Sequence, residues 1–354
     1  MKDIAEIDKN LKVETSIERE GLIFRNALQT PFRLYGITHD GERFRRVPDD
    51  VARKTNTGVH SLACHTAGGR LRFVTDSPYV AIKVVLPHHT RFSHMALTGV
   101  AGFDMYVYEN GRYNIKKTFV PPYSFEDSYD GVFDFGGETA ERDITLNFPL
   151  YNDVKELYIG LKEGSVLRAA PEYTHPSPIV FYGSSITQGG CASRPGTCYP
   201  AIISRRYDAD HINLGFSGSA RGERAMAEYI ASLDMSLFVL DYDHNAASNA
   251  QYEESHEPFF KTVRAAHPDI PIVIMTRPKH KSLLQPFEYG RLDTARKTYE
   301  NALRDGDKNV YFIPGYELMD DAFDEGCVDL CHPTDYGFFS MAKRLSALLD
   351  EIIK

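Results

Sequence analysis

Two short stretches carry the side chains that can do covalent chemistry. Ser184 and Ser185 follow Gly183, the glycine that ends the apolar run Ile179-Val180-Phe181-Tyr182, and Asp329-Leu330-Cys331-His332 sets a carboxylate three residues ahead of an imidazole. A serine hydroxyl is a weak nucleophile until an imidazole takes its proton, and the imidazole works best when a carboxylate fixes its tautomer and stabilises its charged form. Ser185, His332 and Asp329 are therefore the candidate nucleophile, base and orienting acid. Acyl transfer also needs donors aimed at the oxyanion of the tetrahedral intermediate. The N–H of Ser185 is one candidate, at the start of an expected helix where free N–H groups and the dipole favour negative charge. The N–H of Gly218, within Gly215-Phe216-Ser217-Gly218-Ser219-Ala220, and the side-chain amide of Asn245 are the others. Each has a plainer reading alone: a turn glycine, a helix cap, a loop acid, a satisfied loop histidine. Their occurrence in chain order, each just after an expected strand, favours the chemical one.

Those strands are apolar throughout and alternate with helical stretches. Ile179–Tyr182, Ile212–Leu214, Leu237–Leu240, Ile272–Met275 and Val310–Ile313 read as strands, with helices such as Pro200–Tyr207, Phe259–Ala266 and Met341–Leu349 between and after them. This pattern predicts a doubly wound α/β domain around a parallel sheet covered on both faces. Ligands of such sheets bind beyond the carboxyl ends of the strands. Asp243, His244 and Arg277 fall at that edge as substrate-binding candidates, with pairing to a local carboxylate as the alternative role for Arg277.

The first half reads differently. Leu71–Thr75 and Val80–Leu86 flank the turn-forming Asp76-Ser77-Pro78, giving a hairpin or a tight strand connection, and Met105–Tyr108 runs into Asn110-Gly111, the strongest short hairpin signal. Asp143–Phe148 and Glu156–Leu161 follow, with no comparable helical period between these runs. An antiparallel, jelly-roll-like β-sandwich is expected from residue 22 to 168. Residues 1–21 read as a charged arm, residues 169–177 as a proline-rich linker that cannot continue a helix or a central strand, and 178–354 as the α/β domain. His88, His89 and His94 lack a second ligand cluster at regular spacing and read as a solvated loop, so no metal is expected.

With 354 residues, two domains are the prior. The charge balance of 40 basic against 49 acidic side chains, net −9, argues against nucleic acid or an anionic membrane surface as partner. Five cysteines, Cys64, Cys191, Cys198, Cys327 and Cys331, form no zinc-type pairs and imply no disulfide framework. The N-terminus lacks the apolar core of a signal peptide and no stretch approaches a membrane span, which gives a cytoplasmic expectation. Whether the chain self-associates is left open.

Gly183-Ser184-Ser185-Ile186-Thr187, the Gly218 loop, Asn245 and Asp329-Leu330-Cys331-His332 together resemble the four blocks of the SGNH hydrolase superfamily, the GDSL esterases, over about residues 178–354. Two positions depart from the pattern: Ser184 stands where the family usually has an acid, and no Asp follows Asn245. A β-sandwich ahead of such a domain looks like the carbohydrate-esterase branch. The resemblance implies no metal and no organic cofactor, and it does not fix the substrate; the leading reading is a serine esterase that removes a short acyl group, acetyl foremost, from a sugar or glycoside, with a small-molecule or oligosaccharide acyl ester as partner. An acyltransferase, lipase or thioesterase on the same machinery is the alternative, and from another class a carbohydrate-binding protein with an inert hydrolase domain.

Overall fold

The five apolar runs of the second half lie side by side in one parallel sheet, in the order Ala209–Gly215, His175–Gly183, Leu237–Asp241, Ile272–Met275, Val310–Ile313. The structure, a computed structural model, describes residues 15–88, 90–319, 322 and 325–353; His89 and residues 1–14 of the expected arm lie outside the described residues. Alternate side chains of the strand His175–Gly183 enter two cores. Val180 and Tyr182 pack with Phe238, Leu240 and Ile274 on one face, Ile179 and Phe181 with Leu237, Val239 and Val273 on the other. Burial on both faces is why these strands show no polar alternation.

The register fixes the active edge. Gly183 lies opposite both Gly215 and Asp241, so three strands end level with one another. Glycine is required at two of these ends by close approach: a Cβ on Gly183 would sit 2.2 Å from the Asp241 carbonyl oxygen, and one on Gly215 would sit 2.1 Å from the Gln188 nitrogen.

Beside a two-stranded ribbon, Thr38–His39 with Phe44–Arg45, the first half forms two large antiparallel sheets. One has the order Leu22–Asn26, Glu156–Lys162, Tyr79–Val85, Ser128–Asp134; the other runs Leu167–Arg168, Arg70–Thr75, Arg142–Asn147, Phe103–Glu109, Arg112–Phe119, with Arg33–Tyr35 also paired to Arg70–Thr75. Leu71, Phe73, Ile82, Val84, Met105, Ile144, Leu157 and Ile159 fill the space between them. Asn110 and Gly111, both at positive φ, turn the expected hairpin, with Glu109 opposite Arg112. Asp76-Ser77-Pro78 is a tight connection of another kind: it carries the chain from one sheet to the other.

Two expectations need correction. The region expected as a β-sandwich, 22–168, also carries helix: Asp49–Thr55 and Thr57–Leu62 form a helical pair ahead of the expected strand runs, and Leu97–Val100 makes a single turn between them. The pair packs on the parallel sheet: its buried Ala52 and Val59, with the flanking Val47 and Ala63, belong to the same apolar cluster as Val180 and Leu214. The proline-rich stretch is also not strand-free. In chain order the first strand of the parallel sheet starts at His175 and includes Pro176 and Pro178, but its ladder to Ala209–Gly215 is irregular between His175 and Ile179, and its ladder to Leu237–Asp241 begins only at Ile179. The prolines thus sit where few ladder donors are needed.

Candidate active site

Beyond Gly183 the chain turns at once into the short helix Ser185–Gln188. Ser184 is its N-cap, fully buried, with its hydroxyl accepting from the Ile186 N–H. The two adjacent serines are therefore divided in role by geometry. The Ser184 hydroxyl satisfies an otherwise orphaned helix donor, whereas Ser185 Oγ lies 3.0 Å from His332 Nε2. As the first residue of the helix, Ser185 has an N–H without an intrahelical acceptor.

His332 comes from the loop before the last helix, Asp335–Ile352. Its Nδ1 lies 2.8 Å from Asp329 Oδ2, and Asp329 Oδ1 accepts the N–H groups of Cys331 at 3.1 Å and His332 at 2.7 Å. Leu330, held at φ 60, makes this tight turn. Burial by itself would raise the Asp329 carboxyl; the bonds from the His332 N–H and ring and from Cys331 outweigh it and hold the group below the usual carboxylate range. Asp329 thus stays ionised beside the ring, as an orienting acid must. The loop is closed behind by Val328 N–H to the His332 carbonyl (2.9 Å) and Thr334 N–H to the Gly326 carbonyl (2.8 Å). It is tied to the far side of the crevice through Asp335, which accepts from Ser193 and Thr197.

The remaining expected donors share one loop system. Phe216 N–H pairs with the Gly183 carbonyl at 2.9 Å, and the Ser217 N–H is engaged by Gln188 Oε1 at 3.0 Å. Gly218, at φ 64 with open space where a Cβ would be, follows immediately. Asn245 closes the turn Asp243–Asn245 and donates one amide hydrogen to the Phe216 carbonyl at 2.9 Å, which binds it to the Gly218 loop and leaves its second hydrogen for another acceptor.

The other edge residues are engaged in structure. Asp243 is buried, accepts the Arg277 N–H at 3.1 Å, and burial raises its carboxyl above the ordinary range. The Arg277 guanidinium bonds Glu288, whose carboxylate also caps the helix Pro286–Arg304. Burial, then the charges of Arg277 and His332, hold His244 well below the usual imidazole range, so it is neutral; its Nδ1 lies 3.6 Å from Cys331 Sγ. All five cysteines are free thiols.

Sequence reasoning missed the residues that pin this edge from the first half. Arg46, 4% exposed, donates to four carbonyls, of Leu62, His65, Asn213 and Gly215, and stacks over Phe216 with 4.4 Å from guanidinium to ring. No carboxylate is bonded to it among the described residues, and burial pulls the guanidinium down to about 9. Tyr151 donates its hydroxyl to the Ser185 carbonyl at 3.2 Å, and Gln188 Nε2 donates to the Leu150 carbonyl at 3.0 Å. These contacts join residues far apart in sequence, and no local pattern marks them.

Residues 176–350 match the family described as GDSL-like lipase/acylhydrolase, and residues 22–167 match the one described as the N-terminus of esterases of the SGNH-hydrolase type. A GDSL-like lipase candidate from Bacteroides ovatus superposes with a TM-score of 0.85 at 29% identity, over 94% of this chain and 98% of its own. The salicylyl-acyltransferase SsfX3 of a tetracycline biosynthetic pathway gives 0.75 at 19% identity, over 95% and 98%. An acetyl xylan esterase from Butyrivibrio proteoclasticus gives 0.59 at 15% identity, over 94% and 98%. The last two likenesses show the fold. No curated protein matches the chain.

Proposed function

Because the chain belongs to the GDSL-like lipase/acylhydrolase family, with the N-terminal domain of SGNH-type esterases ahead of it, we propose that it is a serine esterase removing a short acyl group, acetyl foremost, from a sugar or glycoside. The observation that carries the reading is the hydrogen-bonded line Ser185 Oγ, His332 Nε2, His332 Nδ1, Asp329 Oδ2, with steps of 3.0 and 2.8 Å. His332 takes the Ser185 proton as Oγ attacks the acyl carbon, and the ionised Asp329 stabilises the imidazolium. The N–H of Ser185, the N–H of Gly218 and the free amide hydrogen of Asn245 serve the oxyanion. Collapse expels the alcohol, which takes the proton from His332, and water attacks the acyl-enzyme by the same route. Asp243, His244 and Arg277 shape the wall of the crevice rather than the reaction.

Carbohydrate esterases of the same two-part architecture support the sugar reading. A second reading, transfer of the acyl group to an alcohol other than water, is favoured by the higher TM-score of the acyltransferase. The test is acetate release from a panel of acetylated oligosaccharides, with and without added acceptor alcohols, by the wild type, Ser184→Ala and Ser185→Ala. We expect acetate release that Ser185→Ala abolishes and Ser184→Ala largely keeps. Comparable losses in both variants would refute the assignment of Ser185, acyl transfer in preference to hydrolysis would favour the second reading, and a wild type unreactive toward a fluorophosphonate would leave only a binding protein.

A further inference from the structure

Three separate segments meet beside Ser185. His94 from the loop after Tyr79–Val85, Cys191 from the turn after the nucleophile helix, and His332 each offer a ligand atom, and the three atoms lie within 4.8 Å of one another. Cys191 is held at φ 71, a conformation that costs energy at any residue with a side chain. Its thiol is 3.4 Å from the His94 carbonyl oxygen, to which it donates. The His94 and His332 rings stand 5.6 Å apart between centroids at 48°. Read by itself His94 belongs to a solvated loop, because it lies 97 positions before Cys191 and 238 before His332.

One thiolate sulfur and two imidazole nitrogens are a zinc donor set. Bond lengths of about 2.3 Å to sulfur and 2.0–2.1 Å to nitrogen in a tetrahedron place neighbouring donors roughly 3.3–3.6 Å apart. The cluster must therefore close by up to about 1.5 Å, a movement within reach of the exposed His94 side chain. We propose that His94, Cys191 and His332 bind Zn²⁺ reversibly and that the bound ion switches the enzyme off, by taking the imidazole lone pair that otherwise accepts the Ser185 proton. Binding forms one Zn–S and two Zn–N bonds, the Cys191 thiol proton passes to solvent, no electron is transferred, and the fourth position is left to water. Hard cations such as Mg²⁺ prefer oxygen donors and do not suit the set. A second triple, Asp329, Cys331 and His332, is equally close. Its carboxylate oxygens are already committed to two backbone N–H groups and the His332 ring, so it is the poorer site.

The inhibition rests on the proposed role of His332; the binding does not, and the experiment separates the two. Zn²⁺ is titrated into the full chain against a chromophoric chelator, and nitrophenyl acetate hydrolysis is followed in parallel. We expect one Zn²⁺ per chain, loss of hydrolysis over the same concentration range, recovery with EDTA, and no effect of Mg²⁺. His94→Ala and Cys191→Ala should hydrolyse the ester normally without metal, bind Zn²⁺ at least tenfold more weakly, and need correspondingly more for inhibition. Failure to compete with the chelator, unchanged affinity in both variants, or a loss that follows Cys331→Ser in place of Cys191→Ala would overturn the site. If the metal-free protein hydrolyses no ester, the proposed function fails while the chelator competition still decides the metal site.

Discussion

Asn245 offers the sharpest separation of catalysis from structure at this site. Its carboxamide has two hydrogens, and the Phe216 carbonyl takes one of them at 2.9 Å. Asn245→Ala removes both. Loss of the bond to Phe216 should cost about 1 kcal/mol of stability, the net worth of a neutral hydrogen bond, which in a chain of this size lowers Tm by about 2 °C. Loss of the other, as one oxyanion donor, should lower kcat by about 10²–10³, or 2.7–4 kcal/mol of transition-state stabilisation, with KM within about twofold. Asn245→Asp keeps the shape but turns an acceptor toward the Phe216 carbonyl and toward the developing negative charge. It should lose at least as much rate and more stability. Steady-state kinetics on nitrophenyl acetate, with thermal melts of the same samples, check both numbers. A kcat within tenfold of the wild type would refute the oxyanion role, and a defect confined to KM would make Asn245 a substrate contact.

Two further outcomes follow from buried groups. In Arg46→Lys, a compact ammonium cannot reach all four carbonyls that the guanidinium fork joins; kcat should fall by about 10–100-fold through movement of the strand end leading to Gly218, with KM little changed, and a folded variant within twofold of wild-type kcat would show that the loop holds itself. His256 is fully buried against Thr298 Oγ1, and burial lowers its imidazole to about 3, below the value of about 6.5 it has when unfolded. Its contribution is therefore complete above about pH 6.5 and is lost as pH falls toward 3, by about 2 kcal/mol at pH 5. Urea unfolding at pH 8 and pH 5 should accordingly show about 2 kcal/mol less pH sensitivity in His256→Gln than in the wild type, a comparison in which the raised carboxyls of Asp241 and Asp243 cancel; equal sensitivity in the two proteins would contradict a neutral buried His256.

What could be read in advance was what local chemistry dictates. Ile272–Met275 and Val310–Ile313 appear with the expected bounds because strands covered on both faces leave an uninterrupted apolar run. Asn110-Gly111 was legible because a two-residue turn of this kind needs positive φ at both positions. The alignment of Ser185, Phe216–Gly218 and Asn245 at one edge follows from glycines and polar clusters that end three strands in register at Gly183, Gly215 and Asp241. The helical pair Asp49–Leu62 was not legible: its elements are seven and six residues long, too short to be stable or periodic alone. The start at His175 of the strand that ends in Gly183 was hidden for the opposite reason, since Pro176 and Pro178 argue locally against a strand that pairing elsewhere along it sustains.

The same long-range contacts decide how far the site belongs to the second half of the chain. Ala52, Val59 and Ala63 complete the core on one face of the parallel sheet, and Leu150 and Tyr151 complete it on the other. The carbonyls of Asn213 and Gly215 have Arg46 as a charged donor, and the carbonyl of Ser185 has the Tyr151 hydroxyl. Without the first half, buried apolar surface on both faces would meet water and each of these carbonyls would lose a side-chain donor just where the strand ends must hold the hydroxyl, the imidazole and the N–H groups in fixed relation. The two halves therefore share one packing problem, and the positions of Ser185 and Gly218 are set as much by residues 46–63 and 150–151 as by the sheet that carries them.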